Sequence, residues 1–477
     1  MRPLEILFCC LMVPLFLAWI TGIRPAVSGM RMFALLLVAI LIAHGILEGM
    51  HWQLLPLYVA IFICLFVALK FHSMLQGHLR WIAVAGFFLV GCSLLFSYLL
   101  PMFRLPKPTG PYAIGTRILY MVDPSRDAMG EHTQNGRREL MVQIWYPAKP
   151  NGEPLTIYRR RREATLLSSY QAVLRTNSYM DAQIDPAQTS YPFLIFNPAW
   201  TGQRTQSTFL MQELASHGFI VASIDHTYYS GKVEFPDGRV IDSGLAPELG
   251  SFVHATIDEE LELGAKYTRI EADDDIFVLD QMQALSEKQG SEWYKRLDMT
   301  RVGVLGHSIG GSAAAEAAYL DSRFKAVLNM DGWVFGDAMT QGVPSPYMMI
   351  FEKGTEEEPS PEALAKAPES IQRYWQMNRE ILDNLQTGLQ RYGGYELYIN
   401  GTSHWNFSDK ALYSPLRRWS DAGSIDPRRA YKIIDQYVLA FFSNVLNGTQ
   451  EPLLYGNTKK FPEVQFSSWQ HQPVKSN

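Results

Sequence analysis

No cysteine follows Cys92 in this chain, and the four present (Cys9, Cys10, Cys64 and Cys92) all precede residue 104. Residues 105–477 therefore have neither a disulfide framework nor a thiolate metal site open to them. Charge is scarce as well: Asp, Glu, Lys and Arg make up 19% of the 477 residues, and the formal net charge is −5. Lysine and arginine form no long block, so nucleic-acid binding has no electrostatic footprint. Residues 105–477 show no internal repeat and no low-complexity segment.

What the chain has in excess is apolar surface, 47% of its residues, and this is concentrated at the N-terminal end. Leu4–Ile20 carries only Glu5 as a charge, while Met32–Leu47, Leu54–Leu69 and Trp81–Phe103 carry none. A bilayer-spanning helix needs about 17–25 apolar residues. Arg2 before the first run also suits a cleaved signal peptide. Three further runs at close spacing, with no clear small-residue cleavage site, favour four transmembrane helices over residues 1–103 and membrane lipids as partners. The turns after the first and third runs hold Arg24, Arg31, Lys70 and Arg80, whereas the second turn offers Glu48 and His51 but no Lys or Arg. Arg2, Arg104 and Lys107 count the other way. On balance the positive-inside tendency puts both ends of the block, and the domain that follows, on the extracytoplasmic side.

"RLPKPTGP" (104–111) reads as a linker. Beyond it, "RELMVQIWYPA" (138–148), "YPFLIFNPAW" (191–200), "FIVASIDH" (219–226), "VGVLG" (302–306), "FKAVLNMD" (324–331), "PYMMIFEKG" (346–354) and "YELYING" (395–401) are short, apolar and rich in β-branched or aromatic residues, as strands are. Helical spacing marks 206–218, 273–287 and a closing helix at 428–448. Strands alternating with helices predict a mostly parallel sheet covered on both faces, an α/β class domain over 112–450, with 451–477 as a C-terminal tail. In such sheets chemistry gathers at the carboxyl ends of the strands, where Ser308, Asp331 and His404 fall.

"GHSIGG" (306–311) fits the Gly-x-Ser-x-Gly turn that lifts a nucleophilic serine between strand and helix. A Gly-rich turn whose serine merely caps a helix is the blander alternative. The preceding strand and the Ala-rich helix that follows favour the nucleophile. A serine hydroxyl needs a base, and His404 in "NGTSHWNFSD" lies in the right chain order, with His226 and His307 as rivals. His307, adjacent to Ser308, is expected to point away from it. Asp331 follows the strand after the serine turn and Glu352 follows the next one, so either could orient the imidazole. Two backbone amides must receive the developing oxyanion: Ile309 and, from the loop after "FLIFN", Trp200. Trp200, Trp333 and Trp405 adjoin the three site elements, either lining an acyl pocket or packing the core. Residues 355–390, with a stripe through Ile371, Trp375, Leu382 and Leu385, read as an insertion that is a candidate lid or a surface helix.

The segments "PTGPYAIGT", "MVQIWYPA", "FNPAWTGQRTQSTFLMQELASHGFIVASIDH", "DDIFVLDQM", "GHSIGG", "NMDGW" and "GTSHWNFSD" occur in order across about residues 109–445. Together they resemble the lipase-like platelet-activating-factor acetylhydrolase group of α/β-hydrolases. The resemblance implies a serine esterase that releases short or oxidised acyl groups from phospholipid-like esters, without metal or cofactor. It also implies Ser308, Asp331 and His404 as the triad, with Trp200 and Ile309 as the oxyanion donors. The family often shows Ser-His-Gly where this chain has Asn197, Pro198 and Ala199. Two other classes compete with a membrane-tethered ester hydrolase: a lipid acyltransferase using the same triad, and a non-catalytic ligand-binding member. The sequence leaves the oligomeric state open.

Overall fold

The computed structural model describes residues 1–23, 26–68, 75–128, 136–244, 256–352 and 358–470. Arg24, Lys70, residues 355–357 of the expected insertion and residues 471–477 of the expected tail lie outside them. The chain divides into two compact units.

The first unit joins Met1–Arg104 to two later segments, Ile157–Arg175 and Leu412–Ser420. Its helices are α1 (Pro3–Ile20), α2 (Val27–Leu47), α3 (Leu55–Phe66) and α4 (Leu79–Leu99). Among the described residues three of these, α1, α2 and α4, are long and apolar enough to cross a membrane. This corrects the expected four: the third apolar run forms a helical stretch of only Trp52–Phe66, short of the about 20 residues a bilayer requires. Several charged and polar groups inside this unit pair with one another, as burial in an apolar setting favours. Glu5, fully buried, accepts from the Arg2 amide at 2.8 Å and lies 3.0 Å from His51 Nε2. His44 Nδ1 lies 2.9 Å from Glu48 and its Nε2 lies 2.8 Å from the Tyr58 hydroxyl. Gln53 Nε2 donates to the Leu100 carbonyl at 3.1 Å, so the turn before α3 and the end of α4 share one end of the bundle.

The second unit comprises Leu105–Thr156, Thr176–Ala411 and Asp421–Asn477. Its strands are β1 (Ala113–Asp127), β2 (Arg137–Lys149), β3 (Leu155–Ile157), β4 (Arg175–Met180), β5 (Gln183–Ile184), β6 (Tyr191–Asn197), β7 (Ile220–Asp225), β8 (Val233–Glu234), β9 (Val240–Ile241), β10 (Leu297–His307), β11 (Phe324–Met330), β12 (Tyr347–Glu352), β13 (Gly394–Ile399) and β14 (Val464–Trp469). The main sheet runs in the order β14-β13-β12-β11-β10-β6-β7-β2-β1-β4-β3, with β5 paired to β2. From β7 to β13 every pairing is parallel, and every residue of β6 and β7 is buried. Helices cover these strands on both faces, which is why they read as continuous apolar runs. Here α5 (Thr208–Ser216) packs with the last long helix, Pro427–Asn447, and Phe209 stacks on Tyr431 at 4.0 Å. A second pair, α6 (Ile257–Glu287) and α7 (Ile309–Leu320), packs together against β6 and β10.

Three elements extend the sequence reading. The long β1–β2 antiparallel hairpin flanks the parallel core, β14 pairs antiparallel with β13 inside the segment read as a tail, and α6 starts sixteen residues before the helix read at 273–287. Within the candidate insertion, α8 (Glu369–Tyr392) buries Met377, Ile381, Leu385 and Leu389, whereas Ile371 is 43% exposed. The buried stripe therefore starts at Met377, more than one and a half turns beyond Ile371.

Candidate active site

The turn at Ser308 is built from steric constraint. β10 ends at His307, α7 begins at Ile309, and Ser308 between them has φ 60° and ψ −129°. A non-glycine residue in that region is strained and is held only by surrounding structure. Here the Ser308 amide donates to the Met330 carbonyl at 2.9 Å, and the Gly311 amide donates to the Ser308 carbonyl at 2.8 Å. A Cβ on Gly306 would sit 2.0 Å from the Gly310 carbonyl oxygen, and one on Gly310 would sit 2.3 Å from that of Asn197. Only glycine fits at either place.

One strand further on, Asp331 also adopts a left-handed φ of 56°. Its amide donates to the Ile350 carbonyl at 2.7 Å, and the Asn329 side chain brackets Gly332 at 2.9 and 3.0 Å. The Asp331 carboxylate is then fixed from both sides. Oδ1 accepts the Glu352 amide at 2.9 Å, and Oδ2 faces His404 Nδ1 at 2.6 Å. His404 opens a short 3-10 turn, His404–Phe407, closed by the Asn406 carboxamide accepting the Ser403 amide at 2.8 Å. Glu352, the other candidate acid, meets Asp331 through its backbone.

Electrostatics follow from this packing. Burial alone pushes the His404 imidazole toward its neutral form, but the Asp331 bond and the charges of Asp331 and Glu352 outweigh it, raising its pKa above the usual 6.5. Glu352 is pushed up to about 7, first by burial and then by the neighbouring Asp331 charge. His307 falls well below the ordinary imidazole value because it is buried and lies beside His404.

Ser308, Ile309, Asp331, Glu352 and His404 open into one cavity of about 340 Å³. Its walls are Trp200, Trp333, Phe335, Phe351, Tyr374 and Met377, with Glu260 as a further carboxylate. Tyr374 and Met377 come from α8, which is tied down by Trp333 Nε1 donating to Asn378 at 3.0 Å and by an Arg373–Glu260 ion pair at 3.2 Å. Trp405 is not among the lining residues: its ring lies against His307 at 5.7 Å, with the Lys410 ammonium 3.8 Å from its centroid. Sequence reasoning missed Glu260, Phe335, Phe351, Tyr374 and Met377. The helical stripe of α8 could have pointed to Met377; nothing local marks Glu260.

The loop holding Trp200 is fastened differently. The Thr201 amide donates to Tyr229 at 2.9 Å, and the Gly231 amide donates to Gly202 at 3.1 Å. Trp200 packs edge-on against Tyr267 at 5.5 Å. The strand end beneath it is anchored by Asn197, which donates to Asp275 at 2.7 Å and lies 3.1 Å from His226 Nε2. His226 Nδ1 lies 2.9 Å from Asp274, itself held by Arg138 at 3.0 Å. His226 thus belongs to a buried ion cluster and does not line the cavity.

A mostly parallel sheet with its Gly-x-Ser-x-Gly turn between the central strand and the next helix defines the α/β-hydrolase fold. The sequence pattern of platelet-activating factor acetylhydrolase, isoform II, matches residues 100–235 and 281–453, and the chain belongs to that family. A probable 1-alkyl-2-acetylglycerophosphocholine esterase from Arthroderma benhamiae is 26% identical over 394 residues, covering 76% of this chain and 94% of the relative. The platelet-activating factor acetylhydrolase of Cavia porcellus is 24% identical over 381 residues, covering 72% and 78%. Among solved structures, a ferulic acid esterase from Streptomyces cinnamoneus superposes with a TM-score of 0.59 at 28% identity, covering 76% of this chain and 98% of the other.

Proposed function

We propose that this protein is a membrane-tethered serine hydrolase of short-chain or phospholipid-like carboxylic esters, working through an acyl-enzyme. The observation that carries the reading is the 2.6 Å bond from His404 Nδ1 to Asp331, with Ser308 and His404 lining the same aromatic-walled cavity. The bond fixes the imidazole so that Nε2 is the nitrogen left for the serine proton. As Ser308 Oγ attacks the ester carbonyl, its proton passes to His404 Nε2. The resulting oxyanion is received by the Ile309 and Trp200 amides. The Ile309 amide opens α7, where the helix dipole favours negative charge. His404 then hands the proton to the departing alkoxide, leaving the acyl group on Ser308. Water, deprotonated by the same imidazole, releases the carboxylic acid and restores the serine. The relatives named as acetylhydrolase and acetylglycerophosphocholine esterase support a short acyl group on a glycerophospholipid-like ester.

We place the hydrolase unit on the extracytoplasmic side. The placement rests on a shared end and not on the number of spans: the Lys/Arg-free turn between α2 and α3 lies at the bundle end where α4 finishes, and positively charged turns tend to stay inside. An alkaline phosphatase fused after Asn477 is expected to be active, and a fluorescent protein that folds only in the cytoplasm to be dark; the opposite pattern overturns the placement. For the activity itself, p-nitrophenyl esters of increasing chain length are offered to the full chain in detergent. Turnover is expected to be greatest for the shortest esters and to vanish in Ser308→Ala. Equal rates for the wild type and this variant overturn the reading.

A further inference from the structure

The sequence reading has His307 point away from Ser308, and it does not line the cavity. It is the middle of a continuous hydrogen-bond path. The Ala199 amide, in the loop that carries Trp200, donates to Gln206 Oε1 at 3.1 Å. That assignment leaves Gln206 Nε2 as a donor, and it meets His307 Nδ1 at 2.9 Å. His307 Nε2 in turn meets the His404 main-chain carbonyl at 2.8 Å. A carbonyl can only accept and an amide nitrogen can only donate. His307 must therefore be the neutral tautomer with its proton on Nε2. Every donor and acceptor along the path is satisfied in one direction only.

The surroundings keep it so. His307 is fully buried and Gln206 is 6% exposed. The His307 ring lies 4.6 Å from that of His404, 5.7 Å from Trp405 and 5.9 Å from Phe407. No rotation is open to it without burying an unpaired polar group, which costs more than a made bond returns. Burial and the neighbouring His404 also oppose a second proton on the ring.

We propose that Gln206 and His307 are positioning residues: a strut that sets the distance between the oxyanion loop at Trp200 and the general base at His404. The strut rests on the ester-hydrolase reading above and explains a feature which that reading leaves unused. Neither residue touches the substrate cavity. Both act through the backbone, at Ala199 on one side and at His404 on the other. A catalytic group displaced by about an ångström can lose roughly 10²-fold in rate.

The test is a double-mutant cycle on the full chain with His307→Phe, Gln206→Met and the pair. Each single change is expected to lower kcat roughly 10²-fold while KM moves by less than about threefold, since only the reacting geometry is disturbed. The pair should lose no more than the worse single variant, because residues acting as one unit are not additive. Losses that multiply in the pair, or that fall on KM alone, overturn the strut. If His307→Phe does not fold, Gln206→Met carries the test, and near-native kcat overturns the proposal. Hydrogen exchange in the 403–409 peptide reads the strut without any reaction, so it stands apart from the hydrolase reading. Faster exchange in the variants supports the strut, and unchanged exchange overturns it. Wild type with no Ser308-dependent turnover overturns the hydrolase reading instead.

Discussion

The Ser308 turn and the Trp200 loop meet at Gly310, where the Asn197 carbonyl leaves no room for a side chain, yet they are held by opposite means. The serine turn is local: two glycines, a left-handed residue and backbone bonds to the adjacent strand. The Trp200 loop has one near partner, Gln206, and is otherwise held from a distance, by the turn after β7 and by Asn197 on a buried cluster of Arg138, His226, Asp274 and Asp275. A site element that steric necessity writes into six consecutive residues can be recognised in a sequence. One that is closed mostly by partners tens of residues away cannot, although the proposed mechanism aims both at the same carbonyl.

The largest effect should fall on the local element. Ser308→Ala is expected to reduce ester turnover by on the order of 10⁴–10⁶ with an unchanged circular dichroism spectrum, because the proposed mechanism then lacks its nucleophile. Next, Asp331→Asn should cost roughly 10⁴ in kcat, as an imidazole held in the wrong tautomer does. A loss below tenfold would move the orienting acid to Glu352.

Gly310→Ala separates steric from chemical support. The added methyl meets the Asn197 carbonyl, so a loss of about 1–3 kcal/mol in denaturant-measured stability is expected, with the catalytic groups all present. A neutral result would mean that the loop yields, and the contrast between the two regions would weaken.

The pH profile gives a smaller effect with a definite sign. In the proposed mechanism His404 is a base only when neutral, and its pKa is raised above 6.5, so kcat/KM should fall as pH drops through that raised value. Glu352→Gln removes one of the charges that raise it, so the acid limb should move to lower pH, with a rate change under about tenfold, below what a positioned acid–base partner contributes. A limb that moves upward would contradict the assigned electrostatics.

Much of the hydrolase unit was legible. The parallel strands announce themselves because both faces are covered, and Ser308, Asp331 and His404 each follow a strand end. Less legible were the elements whose identity depends on partners. β14 becomes a strand only by pairing with β13, and α6 begins with the polar turn Asp258, Glu259 and Glu260, whose Thr256 cap is visible but whose apolar face is sparse. Four apolar runs read as four spans because composition shows hydrophobicity better than it shows helix length; among the described residues the third forms a helical stretch of only Trp52–Phe66. Trp405 sits beside His404 in sequence, yet its ring faces His307 and Lys410 instead of the cavity. Adjacency along the chain does not fix direction across it.

The central claim is that Ser308 becomes acylated. Wild-type protein mixed with p-nitrophenyl acetate and quenched in acid within the first turnover should yield a peptide containing Ser308 heavier by one acetyl group. Asp331→Asn should accumulate it more slowly, and Ser308→Ala should never show it. Continued hydrolysis with no acetyl on that peptide, or acetyl carried by another residue, would contradict the account.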